Sequence, residues 1–395
     1  MAEPTPNDTK QRDTEKQSPA CAQKVSAFKS LGWLDRFLAI WIFLAMLIGI
    51  LLGNFVPSTE RVLQQGHWVG VSIPIAIGLL VMMYPILCNV RYETLHQILG
   101  QKALWTQVLF SIVFNWLVAP FFMVHGSSPP PVHSSVGGIG LTMKECKLGL
   151  AWAFLPDEPN LRNGLILVGL GRCIAMVLIW NGLAGGDAEY CAILVAINSM
   201  LQMVLFAPMA VFFIRVIGRP ASDDVAVQYS VVATSVGVFL GIPLGAAIIT
   251  RLGLRHLAGE KWYNDIFMKF LSPWSLIGLL YTIIVLFAAQ GKHVVRQIVS
   301  VVRVAAPLVV YFLVIFFVTL WATRRLGYGY RLGCTQSFTA ASNNFELAIA
   351  VAVATFGADS EQALAATVGP LIEVPVLVGL VYFVRWIGRR WKWDE

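Results

Sequence analysis

The chain has 395 residues, 57% of them apolar and 13% charged, with a mean hydropathy of +0.69 and a formal net charge of +7. Soluble domains carry about 25% charged residues, so this chain could not cover a core of its size; the bilayer must be its main solvent. The positive balance does not point to nucleic acid, because Lys and Arg gather between apolar runs and at the two ends, as in a membrane protein that fixes its orientation with them.

Residues 1–32 are polar and rich in Lys, Glu, Gln and Pro; lacking an early apolar core, they are expected to be a disordered cytoplasmic tail rather than a signal peptide. Ten apolar runs follow, near 37–56, 71–90, 104–125, 163–184, 190–214, 228–250, 270–289, 299–322, 335–356 and 363–384. Each approaches the roughly 20 residues that a helix needs to cross a bilayer. With the N-terminus inside, roughly two-thirds of the basic residues fall on inner segments, clearest at 251–269, 324–331 and 385–392, so both termini are expected in the cytoplasm. The connection 126–162 is a long outer loop rich in Pro, Gly and Ser, with Asp157 and Glu158 near its end.

The order of the spans suggests a repeat. Arg172-Cys173-Ile174-Ala175 lies against Phe345-Glu346-Leu347-Ala348, and Gly185-Gly186-Asp187 against Gly357-Ala358-Asp359. Five spans per half is an odd number, so the two halves, 33–217 and 218–388 with a cytoplasmic end at 389–395, must insert with opposite orientation, as in many secondary transporters. The fold expected is therefore an all-α membrane protein of ten transmembrane helices in two inverted five-helix repeats. Spans four and nine carry corresponding polar stretches, Asn163 to Cys173 in one and Thr339 to Glu346 in the other. Gly and clustered Asn weaken helices, and a broken helix survives in lipid only where protein or a wet cavity satisfies its backbone. Two breaks in equivalent places predict a midplane binding site between them.

Three charges fall inside apolar spans: Arg172, Glu346 and Glu373. Each costs at least about 2.5–3.5 kcal/mol at a helix centre, which makes function the first reading, and a buried ion pair between helices the plain alternative. Cys173 would ordinarily be a small hydrophobe, but it adjoins Arg172 and matches the position of Glu346. A neighbouring cation favours the thiolate, and soft thiolates select thiophilic partners such as trivalent arsenic and antimony. Cys88 and Cys191 lack that setting and read as core. The six cysteines show no CxxC spacing, and GxxxxGK[ST], HExxH and GxSxG runs are all missing. A disulfide framework, a zinc site, ATP hydrolysis and enzyme chemistry are therefore not expected, and neither is a cofactor.

At these residues a family resemblance emerges. Gly169-Leu170-Gly171-Arg172-Cys173-Ile174-Ala175-Met176-Val177 with Trp180-Asn181 resembles the arsenite efflux permeases of the arsenical-resistance-three family, in the bile acid, arsenite and riboflavin transporter superfamily. So do Ala196-Ile197-Asn198-Ser199, Asn343-Asn344-Phe345-Glu346-Leu347-Ala348-Ile349-Ala350 and Gly369-Pro370-Leu371-Ile372-Glu373-Val374-Pro375, and the likeness spans about residues 33–388. It implies ten spans with crossing broken helices four and nine, cytoplasmic termini, and proton-driven efflux of arsenite, often with antimonite. The family's functional Cys falls on Cys173 and its acidic residues on Glu346 and Glu373. The tail and the 126–162 loop depart from the compact bacterial pattern and leave open whether the membrane is the plasma membrane, which is expected first, or a vacuolar one.

Arsenite is a neutral trihydroxide at neutral pH, so a membrane potential alone cannot expel it. The expectation is an antiporter in which Cys173 meets arsenic and Glu346 exchanges a proton for substrate, since a carboxyl removed from water holds a proton more readily. Glu373 joins it in proton coupling, Asn343, Asn344 and Asn198 hydrogen-bond the hydroxyls, and Arg172 holds Cys173 or the acidic pair in place. The alternative is a sodium-coupled organic anion symporter of the bile-acid type, with Asn and Glu oxygens on Na⁺ and Arg172 on a carboxylate. Oligomeric state is not legible.

Overall fold

An apolar run in lipid has no backbone partner but itself, so helix is the default, and departures from it need a local cause. The structure is a computed structural model that describes residues 37–56, 58–63, 66–90, 92, 102–124, 150–174, 176–217, 227–296, 298–391 and 393. The tail expected at 1–32, Trp33, Cys21, Cys146 and the larger part of the 126–162 loop lie outside the described residues. From Phe37 onward the chain forms one compact unit.

The helices α1 (Leu38–Phe55) and α2 (Thr59–Leu63) lead into a small antiparallel hairpin, β1 (His67–Trp68) and β2 (Val71–Ser72), an addition to the all-helical expectation. The first half continues with α3 (Ile73–Asn89), α4 (Lys102–Val113), α5 (Ala119–Val124), α6 (Leu150–Phe154), α7 (Pro159–Leu170), α8 (Met176–Ala184) and α9 (Ala188–Phe212). The second comprises α10 (Tyr229–Val236), α11 (Ile242–Ala258), α12 (Glu260–Trp262), α13 (Met268–Arg296), α14 (Ile298–Arg325), α15 (Tyr330–Ala341), α16 (Phe345–Phe356) and α17 (Glu361–Arg390). π-helical turns at Phe114–Val118 and Gly237–Gly241 join α4 to α5 and α10 to α11. Each lies just before a proline, Pro120 or Pro243, whose missing N–H breaks the regular ladder and favours such a widened turn.

Six stretches are long and apolar enough to cross a bilayer: Trp105–Met123, Ala188–Arg215, Tyr229–Ala258, Glu260–Ala289, Val299–Arg325 and Glu361–Arg390. Ile40–Phe55, Ile73–Asn89 and Phe345–Phe356 are shorter apolar helices. The molecule is thus an all-α membrane protein. The basic stretch 251–269, expected as a connection, is instead helical on both sides of Gly259, whose φ of 86° makes the corner. Helices outrun the hydrocarbon because hydrogen bonding along the backbone continues in water as well.

Two packing groups are evident. α13 lies along α1 and α3, and α3 also packs on α11. In the other group α14 lies against α15 and α17, and α7 packs on α17. The buried polar side chains concentrate in the second group, from Asn163, Arg172, Asn198 and Gln202 to Ser342, Asn343, Asn344 and Glu373. That is where the helices are broken.

Candidate functional site

The apolar run expected as span four is divided into α7 and α8, and the run expected as span nine into α15 and α16. In the first, α7 ends at Gly171, whose backbone is extended at φ −71° and ψ 130°. In the second, Ser342 is extended at φ −103° and ψ 136°, and Asn344 caps α16 by accepting a hydrogen bond from Leu347 N at 3.0 Å. A Cβ at Gly171 would stand 2.7 Å from the carbonyl oxygen of Asn344, so the close approach of the two breaks requires glycine there.

The breaks cross as a single antiparallel bridge with Arg172 opposite Asn343. Cys173 N donates to Ser342 O at 3.2 Å, and Asn344 N donates to Gly171 O at 3.1 Å. Backbone groups released from the helices thereby satisfy one another in the interior. The crossing gathers four helix ends: the carbonyl ends of α7 and α15, which carry partial negative charge, and the N–H ends of α8 and α16, which carry partial positive charge.

Arg172 answers the carbonyl ends. Fully buried, its guanidinium donates to Ala340 O at 3.1 Å, to Gly169 O, and to the Tyr311 hydroxyl at 3.2 Å. Ala340 and Gly169 belong to the last turns of α15 and α7, so one cation caps both half-helices. Tyr311 passes the chain on, its hydroxyl donating to Asn343 Oδ1 at 3.3 Å, while Asn343 Nδ2 donates to Val168 O at 2.7 Å. On the other side Gln202 Oε1 accepts from Arg172 N at 3.0 Å and from Asn344 Nδ2 at 3.2 Å. The Ser342 hydroxyl donates to the carboxylate of Glu373, which α17 delivers between its two internal prolines, Pro370 and Pro375.

The sequence has close counterparts among known proteins. The model of the Sodium Bile acid symporter family matches residues 76–128 and 146–297. The chain is 46% identical over 364 residues to the arsenical-resistance protein Acr3 of Corynebacterium glutamicum, covering 91% of each chain. The chain belongs to the Acr3 arsenical-resistance family. It is also 33% identical over 367 residues to an uncharacterized transporter of Synechocystis, covering 90% of each, and 28% identical over 357 residues to Acr3 of Alkaliphilus metalliredigens, covering 89% of this chain and 92% of that one.

In this Acr3-family chain the residues singled out from the sequence come together unevenly. Arg172, Cys173, Asn343 and Asn344 meet at the crossing itself. Cys173 is 4% exposed, and its side chain neighbours Ser342, Glu373 and Glu346. The adjacent guanidinium is engaged with Ala340, Gly169 and Tyr311, so the thiol's ionisable neighbours are carboxyls rather than the cation that adjacency in sequence suggests. Glu346 sits half-buried in the first turn of α16, and Glu373 is buried one helix away. Arg172 has no ion pair within 4.0 Å among the described residues, so it is fixed by neutral oxygens rather than by a glutamate.

Asn198 stands one turn before Gln202 on α9 and accepts from Trp116 Nε1 at 3.1 Å. Its Nδ2, together with Gln202 Nε2 and Arg172 Nε, is a buried donor without a hydrogen-bond partner among the described residues. Asn343 and Asn344, by contrast, use both ends of their amides on protein groups.

Three residues that complete the crossing were not singled out: Gln202, Tyr311 and the Ser342 hydroxyl as the partner of Glu373. Gln202 had a signal, since it follows Asn198 by four residues on one helical face. Tyr311 had a weaker one: a tyrosine in mid-span is far from the interfaces where that residue normally anchors.

Proposed function

We propose that the chain exports arsenite in exchange for protons, with Cys173 contacting As(III) and Glu346 and Glu373 handling the coupling proton. Membership in a family whose named relatives are arsenical-resistance proteins supports the substrate, and the observation that carries the site is the crossing. It sets a buried thiol beside two carboxyls and, nearby, donors without partners. A trihydroxide offers what such a site can use: a thiophilic centre for sulfur, and oxygens to accept from Asn198, Gln202 and Arg172. Antimonite shares that chemistry and would follow the same route.

The architecture in this reading is ten spans in two inverted five-helix repeats. Equivalent breaks in α7–α8 and α15–α16 and their antiparallel bridge support it. Arg172 and Gln202 keep the crossing intact while one packing group rocks against the other, giving alternating access. Glu346 takes a proton on the outer side as arsenite is released there, and yields it inside as the next arsenite binds. Both termini lie in the cytoplasm, and the plasma membrane is the expected location.

The family model's printed description favours a second reading, a sodium-coupled organic anion symporter. Everted vesicles holding the full chain separate the two. Arsenite uptake that requires an imposed pH gradient, ignores sodium, and is lost in Cys173→Ala and Glu346→Gln is the expected result. Uptake that persists in Glu346→Gln with the same pH dependence removes the proton role. Organic anion flux under a sodium gradient, with no arsenite flux, moves the chain to the symporter reading.

A further inference from the structure

We infer that the ends of α14 and α17 form a binding site for an anionic phospholipid, with the head-group phosphate on Arg324 and Arg325 and the acyl chains on the apolar wall beside them. The wall belongs to a cleft of about 460 Å³ between the two helices, lined by Phe317, Leu320, Trp321 and Ile387 below and by Arg324, Arg325 and Trp391 at its rim. The cleft lies away from the crossing and shares no residue with it.

Three features point to lipid. First, the apolar wall is open to the surroundings: Trp321 is 60% exposed and Trp391 44%. Second, the cations are arranged in advance. The Arg324 guanidinium lies 4.3 Å from the Trp391 ring centre and 5.5 Å from that of Trp393, and Arg325 lies 5.3 Å from that of Trp321. Aromatic faces hold a guanidinium in place without consuming its N–H donors, which stay available for phosphate oxygens. Third, the depth is right. Trp321, Trp386, Trp391 and Trp393 share this end of the two helices, and Arg390 lies 4.5 Å from the Trp386 ring centre, the mix of aromatic and basic groups that marks a membrane interface. No ion pair within 4.0 Å joins Arg324, Arg325, Arg389 or Arg390 to a carboxylate among the described residues. Basic clefts between spans at an interface are suited to anionic head groups.

The inference does not depend on what the crossing transports. The test uses the purified full-length chain in detergent, with lipid retention followed by native mass spectrometry and stability by thermal melting. The probes are dioleoyl phosphatidylglycerol, dioleoyl phosphatidylcholine with the same tails, and inorganic phosphate. Phosphatidylglycerol should be retained and should raise Tm, phosphatidylcholine should do neither, and Arg324→Gln/Arg325→Gln should weaken phosphatidylglycerol binding by roughly tenfold or more. Lys269→Gln, which alters a basic residue that does not line the cleft, should bind as the parent does. Equal retention of both lipids, undiminished binding in the double variant, or the same Tm rise with inorganic phosphate alone would each overturn the lipid site. A double variant that melts low without lipid is still informative, because the ratio of retained phosphatidylglycerol to phosphatidylcholine is read on the folded fraction.

Discussion

The two breaks solve one problem with different chemistry. In the first, a glycine pair ends α7, and the chain then supplies a guanidinium and a thiol. In the second, Ser342-Asn343-Asn344 ends α15, the two asparagine side chains bond to backbone groups, and the chain then supplies a carboxyl. The first break relies on one long side chain, since Arg172 reaches Gly169 O in the last turn of its own α7 and also Ala340 O in the last turn of α15. The second is stabilised locally, with Asn344 capping its own α16. A break held by one long cation should therefore fail all at once, and one held by local caps should fail by degrees.

Arg172→Met is the severest test of that difference. It leaves Gly169 O and Ala340 O, both inside the protein, and the Tyr311 hydroxyl without their donor. Each unsatisfied buried group costs about 1–3 kcal/mol, so the loss should reach roughly 3 kcal/mol and remove most folded protein at ordinary growth temperature. Thermal melting of detergent-purified protein measures it, and Arg172→Lys should recover only part, because an ammonium cannot span the same three acceptors. A methionine variant that melts as the parent does would mean the carbonyl ends need no shared cap.

Gly171→Ala comes next and tests the meeting of the breaks rather than their caps. The new methyl would stand 2.7 Å from Asn344 O, so the segments must part by several tenths of an ångström. Overpacking of this kind costs about 1–3 kcal/mol. Transport should fall further than stability, because the bridge that carries Cys173 moves with it; melting and arsenite uptake measured on one preparation would show the split. Asn344→Ala should be milder still. Loss of an N-cap costs about 1 kcal/mol, and the second break should persist with a frayed start to α16. A fall as large as that of Arg172→Met would erase the contrast between one shared cation and a local cap.

How far the crossing was legible follows the same division. The breaks were readable because Gly169, Gly171, Asn343 and Asn344 act through the local backbone, and local rules operate on sequence neighbours. The direction of Arg172 was not. Sequence places its charge next to Cys173, but extended residues send successive side chains to opposite sides, so the guanidinium and the thiol serve different partners. Tyr311 and Glu373 come from other helices, and their pairing with Asn343 and Ser342 depends on how α14 and α17 pack. The helical stretch within 251–269 was missed because hydropathy marks the edge of the hydrocarbon and is silent about where a helix stops.

The far ends of the broken helices differ least, and the smallest effect is expected there. α15 starts with Tyr330 donating to Ala184 O at 2.8 Å and with a longer, exposed ion pair between Arg331 and Asp187 at 3.6 Å. α7 starts with closer ion pairs: Arg303 on α14 pairs with Glu158 at 3.1 Å and with Asp157. Arg303 beside it holds the exposed Asp157 carboxyl below the usual carboxylate range, chiefly through the hydrogen bond. The folded chain therefore binds that proton less tightly than the unfolded one. The pair's contribution is fully present above the ordinary Asp value of about 3.9 and is lost as pH falls through the lower folded value. Because the pair is exposed and screened, the effect on the whole should be slight. Arg303→Gln should thus lower Tm a little at pH 6, with the deficit shrinking as pH falls below the ordinary Asp value, whereas Tyr330→Phe should shift Tm equally across that range. An Arg303→Gln deficit that survives in acid would show that its side chain supports α7 by packing rather than by charge.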